Sequence, residues 1–117
     1  MIETTIESLL TPLTPSVYPV TLPKGATAPA LWIAWKTVTS VGKATFSTRG
    51  LTRARIQVDC CATRYLSAAT LRASVRTALD GYNDGSIGVL FLSDTDLFDD
   101  ELMQYRCVVE FYVFYAA

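Results

Sequence analysis

The stretch LTRARIQVDCCAT, residues 51–63, decides the fold. Ala54, Ile56, Val58, Cys60 and Ala62 fall on one side of an extended chain. Arg53, Arg55, Gln57, Asp59 and Cys61 fall on the other. Side chains alternate across a β-strand, so this pattern predicts a strand with one face on a core and one face toward water or another chain. Upstream, LWIAWKTV (Leu31–Val38) is β-branched and aromatic and predicts a second strand. The polar run Thr39–Gly50 between them reads as a mobile hairpin loop.

Downstream, Ala68, Leu71, Val75, Ala78 and Leu79 recur at helical spacing after Ser67, a candidate N-cap, and Asp80-Gly81 closes the helix. Ile87–Ser93 predicts a strand, Asp94–Glu101 an acidic turn, and Met103–Tyr115 a last strand. There Tyr105, Cys107, Val109, Phe111 and Val113 alternate with Arg106, Val108, Glu110, Tyr112 and Phe114. Its apolar end predicts cover on both faces, and the strand itself is expected to be free for contact with another chain. Ile2–Leu10 reads as a short helix stopped by Pro12. All five prolines lie between Pro12 and Pro29, so residues 11–30 form a stiff extended loop, with a brief edge strand near Val17.

The expected fold is therefore α+β. One domain spans residues 1–117, with an antiparallel or mixed sheet of four to five strands and two helices packed on one face. The order is α-β-β-α-β-β. Half of the 117 residues are apolar and 18% are charged, below the usual quarter. A low charged fraction suits a subunit that hides surface against neighbours.

The net charge of −1 conceals a division. From Ser8 to Val58 there are six basic residues and no acidic one: Lys24, Lys36, Lys43, Arg49, Arg53 and Arg55. From Thr77 to Tyr105 there are seven acidic residues and no basic one: Asp80, Asp84, Asp94, Asp96, Asp99, Asp100 and Glu101. Three arrangements fit. The halves can pair inside one subunit, or the basic face of one copy can meet the acidic turn of the next, or the basic loop can face DNA phosphates. Only Phe46 offers a stacking platform in that loop, so a dedicated nucleic-acid site has little support.

Catalytic chemistry finds few residues to use. There is no histidine, which removes the commonest general base and zinc ligand. Counted from Asp94, the sixth position is Asp99 where a calcium loop needs glycine. Cys60 and Cys61 are neighbours on a strand, so they point to opposite faces and form no CxxC pair. No GxSxG, Walker or GxGxxG pattern occurs. The expectation is a non-enzyme without cofactor or metal. No run is long and apolar enough to span a membrane, and the acidic N-terminus is unlike a signal peptide, so synthesis in a reducing cytosol is expected. Trp32 and Trp35, three apart, are expected to divide between core and an exposed interface anchor.

Read in order, VYPVTLPKGATAPALWIAW, RARIQVDCCATRYLSAATLRASVRTALDG, DTDLFDDE and YRCVVEFYVFY cover nearly the whole chain. Together they resemble the tail-completion proteins of long-tailed bacteriophages, also described as tail-terminator or tail-to-head joining proteins. Each piece is short; their order carries the resemblance. The chain departs from the pattern at Cys60-Cys61, where the family's strand more often continues with a large apolar or aromatic residue.

The resemblance implies a structural virion protein that forms a homohexameric ring at the head-proximal end of the tail. It would stop tail-tube growth and present a docking surface for the head. Partners would be further copies of itself, the tail-tube protein and a head-tail connector or neck protein. Passive contact with DNA in the lumen is implied as well, and no membrane. A connector or neck component is the alternative role, and a DNA-binding adaptor a more distant one. The contact residues expected are Lys43, Arg49, Arg53, Arg55, Asp94, Asp96, Asp99, Asp100, Glu101, Tyr112 and Phe114. On the sequence alone, Asp99→Lys with Asp100→Lys should break assembly without unfolding the subunit.

Overall fold

The computed structural model describes residues 2–20, 27–43 and 51–116. The elements run α1 (Ile2–Leu10), β1 (Val17–Pro19), β2 (Leu31–Lys43), β3 (Leu51–Ala62), α2 (Tyr65–Leu79), β4 (Ile87–Asp99) and β5 (Gln104–Ala116). They build one α+β domain around a mixed five-stranded sheet of order β1-β2-β3-β5-β4. The pair β1–β2 is parallel and the other three pairs are antiparallel.

Both helices pack on the same face of the sheet, as the period-2 pattern of β3 requires. Ile6 and Leu10 of α1, and Ala68, Leu71, Val75 and Leu79 of α2, meet Ile33, Ile56, Val58, Cys60, Val109, Phe111 and Val113 in one buried cluster. Each large aliphatic or aromatic side chain removed from water there contributes roughly 1.5–3 kcal/mol. Trp35 lies under α1, and its Nε1 donates to Glu7 Oε2 at 2.7 Å. That bond fixes the short helix, which at nine residues would not hold by itself.

Several sequence expectations shift. The helix α2 begins at Tyr65, its N-cap is Arg64 and no side chain caps it, so Ser67 lies inside the first turn. Thr39–Lys43 are strand and not loop: past an irregularity at Thr37/Thr39, the β2–β3 ladder continues to Lys43↔Leu51. Residues 44–50, the rest of the expected hairpin loop, fall outside the described residues. Asp94, Asp96 and Asp99 stand on β4 rather than in a turn, because pairing with β5 continues past an irregularity at Phe91/Ser93 to Asp99↔Gln104. The reversal is confined to Asp100–Met103, where Met103 adopts a φ of 53°.

The last strand is not free either. β5 is paired on both sides, with β3 and with β4, and β4 is the strand at the sheet's edge. Nor does either tryptophan stand exposed. Trp32 has no accessible surface on the helix-free face, where Ala34, Cys61, Tyr18 and Leu102 gather around it. A second, smaller cluster on that face explains why Cys61 and Asp59 are buried on the side expected to meet water.

Candidate interaction surfaces

The register turns the charge division into a separation in space. β3 and β4 run in the same direction on either side of β5, since each is antiparallel to it. Arg55 is level with Tyr112 on β5, while Asp99 is level with Gln104. Eight residues of strand lie between those levels, about 26 Å at 3.3 Å per residue. Lys43 pairs with Leu51 still nearer the basic end. The subunit thus carries a basic end at the β2–β3 tip and an acidic end at the β4–β5 reversal. Asp80 and Asp84 are the exceptions, in the α2–β4 connection. Lys24 and Arg49 lie outside the described residues.

Among the described residues, no ion pair joins the basic half to the acidic half. Among the described residues, Arg55 of the basic half approaches Glu110 at 3.5 Å, and Arg53 lies 4.5 Å from the centre of the Tyr112 ring. Arg55 Nε is buried and, despite that approach, makes no hydrogen bond. Tyr112 and Phe114 are half-buried on the helix-free face, where Tyr112 lies between Arg53 and the Phe114 ring. Asp96 takes Arg72 and, at 2.8 Å, the hydroxyl of Tyr65. Asp99 takes Arg106 at 3.0 Å. The strands that carry the two halves are not neighbours: β5 stands between β3 and β4.

These contacts sort the acidic candidates. Asp96 is held below the usual carboxylate range, first by the Tyr65 hydroxyl, with Cys107 and Arg72 adding to it. Asp99 is held down first by the Leu102 N–H, and by Arg106. Asp96 is occupied in holding β4 to α2, and Asp99 in building the reversal. Asp94, Asp100 and Glu101 are exposed, and their carboxylates make no hydrogen bond or ion pair among the described residues. They are the acidic groups free to meet a partner.

One feature was absent from the sequence reading. Tyr65, Phe98 and Tyr105 form an exposed aromatic group at the acidic end, with centroids 5.7 Å apart for Tyr65–Tyr105 and 5.0 Å for Phe98–Tyr105. Leu97 and Met103 are also exposed nearby in the chain. Aromatic side chains presented this way suit protein contact. The only sequence signal for the group was that Phe98 and Tyr105 flank the reversal; α2 brings Tyr65 from thirty-three residues away. Among the described residues no cluster of Cys, Asp and Glu is placed to hold a metal ion. No described helix is long and apolar enough to cross a membrane.

No family model matches the chain, and no curated protein matches it. A solved structure does: a chain of the virion of a native gene transfer agent (GTA) particle. The match has a TM-score of 0.71 at 15% identity, over 96% of this chain and 92% of that one. The two share a fold from end to end.

Proposed function

We propose that this protein is a structural component of a tailed-phage-like virion, and within it a tail-completion subunit. It works as a ring at the head-proximal end of the tail, halts growth of the tail tube and offers the head a docking surface. The observation that carries the virion role is the fold shared over 96% of the chain with a chain of a gene transfer agent virion. The ordered sequence pieces support the narrower role. A subunit with a basic end, an acidic end and an exposed aromatic group has two unlike surfaces. Contact between unlike surfaces is heterologous, and heterologous contacts close into rings when the rotation allows.

The test is to add the purified chain to polymerising tail-tube protein and measure tube lengths by electron microscopy. A tail-completion subunit shortens the tubes and sits at one tip. A connector or neck component leaves tube length unchanged and copurifies with heads; that outcome would displace the reading. The DNA-binding adaptor gains no support from Arg53 and Arg55, which are engaged with Tyr112 and Glu110.

A further inference from the structure

The sheet ends in two strand edges of unlike composition. The outer edge of β4 is half covered by its own connection to α2: Val89 N donates to Tyr82 O at 2.9 Å, and Phe91 N donates to Asp80 Oδ1 at 3.0 Å. From Leu92 to Asp99 nothing among the described residues pairs with that edge. On the far side, β1 covers β2 only at Ile33–Trp35, with Val20 N donating to Trp35 O just beyond. From Lys36 to Lys43 the outer edge of β2 is likewise unpaired among the described residues.

The open half of β4 carries Asp94, whose carboxylate is free among the described residues, together with Asp96 and Asp99, which Arg72 and Arg106 already hold; the open half of β2 carries Lys36 and Lys43 in its sequence and no acidic residue. Open edges template pairing with another chain, and like charges placed opposite each other on paired strands repel. The free Asp94 carboxylate and the exposed Lys36 therefore favour contact between unlike edges over contact between like ones. We infer that Leu92–Asp99 of one copy pairs, antiparallel, with Lys36–Lys43 of the next, so that the sheets join into one continuous ring.

The geometry of the subunit is consistent with closure. Asp96 is level with Cys107, Cys60 and Ile33 across the sheet. The middle of the open β2 edge, near Thr39, lies about six residues further toward the basic end, roughly 20 Å. The repeat across the sheet is four strands (β2, β3, β5, β4), about 19 Å at 4.8 Å per strand. Bringing the two edges to one level therefore needs strands tilted by about 45°, at the upper end of the range for closed barrels, roughly 35–45°.

This inference rests on the ring reading above, and the experiment separates the two. Lys36 and Leu97 are exposed and stand on the helix-free face, since Lys36 pairs with Gln57 and Leu97 with Arg106. The full chain carrying Lys36→Cys and Leu97→Cys is treated with a short bis-maleimide over a range of concentrations, and its mass is followed by light scattering. The native cysteines are buried, so wild type is the blank. Expected is a ladder of covalent multimers reaching the size of the scattering species.

Asp94→Pro in that background removes an outward N–H from an edge position and should abolish the ladder with circular dichroism unchanged. A ring-sized species without cross-links would overturn edge pairing and leave the ring standing. A ladder that survives Asp94→Pro would overturn it too, as would a chain that never cross-links at any concentration.

Discussion

Arg106 reaches Asp59 on the neighbouring strand at 2.6 Å and, with its other terminal nitrogen, Asp99 at 3.0 Å. One guanidinium thus ties the buried carboxylate of β3 to the reversal between β4 and β5, and its plane lies over Trp32 at 5.7 Å. Removing it would leave Asp59, 8% exposed, without its ion pair. We expect Arg106→Met to cost about 2–3 kcal/mol in urea unfolding, since breaking a half-buried pair strands a charge. Asp59→Asn in the same chain should return part of the loss, and a double variant no better than the single would refute the coupling.

Asp96 and Asp99 have folded values below the ordinary carboxylate range. For a carboxylate depressed on folding, the contribution to stability is fully present above the unfolded value. It is lost as pH falls through the folded one. Unfolding midpoints measured from pH 7 to pH 2 should hold steady and then drop below about pH 4. Asp99→Asn should flatten that drop; an unchanged profile would mean the pair is not linked to folding.

Trp35 Nε1 donates to Glu7 at the base of α1. Glu7→Ala leaves a buried donor unmet, a loss of about 1–2 kcal/mol. With Ile6 and Leu10 still in the core but this tie to β2 gone, the amides of α1 should exchange hydrogen faster than those of α2 in the variant. Glu7→Gln keeps an acceptor and should recover most of the protection.

Asp100 and Glu101 carry charge that the subunit does not use. Reversing both to lysine should leave the monomer's melting temperature within a few degrees and weaken self-association at low salt by tenfold or more. Asp99→Lys, by contrast, should destabilise the monomer itself, because it replaces a partner of Arg106 with a second cation. High salt should weaken association of the wild type as well, since exposed charges beyond about 10 Å are screened at 0.1 M. Association that is indifferent to salt would remove the charged ends from the contact.

Burial pushes the Cys61 thiol up to about 12 and that of Cys107 to about 11, with Asp96 reinforcing the second. Cys60, the most enclosed, is raised further by the same cause. The thiolate is the reactive form, so at pH 8 the folded protein should resist alkylation. Titration should find three reactive thiols only in denaturant; rapid labelling of the native chain would mean the β3–β5 region opens readily.

The sheet was legible where one face alone is apolar. In β3 the alternation placed Ala54, Ile56, Val58, Cys60 and Ala62 on the core side, where they lie, and in β5 it named Phe111 and Val113 as core. It misled where charge stood on a strand. Asp94, Asp96 and Asp99 looked like a solvated turn, yet Arg72 and Arg106 arrive from other elements and make strand pairing affordable for them. No local pattern announces a partner 72 residues away, as Gln104 is from Trp32. For the same reason the aromatic group of Tyr65, Phe98 and Tyr105 could not be seen before the fold brought its members together, and one of the two tryptophans looked like an interface anchor.

The placement of the two tryptophans gives the molecule a pair of internal optical reporters. Trp35 sits beneath a helix beside a carboxylate, and Trp32 on the opposite face beside an amide and a guanidinium. A chain with Trp35→Phe would emit only from the helix-free face, and one with Trp32→Phe only from beneath α1. Fluorescence could then follow the detachment of α1 and the loosening of the Trp32 cluster as separate events in time, without any added dye.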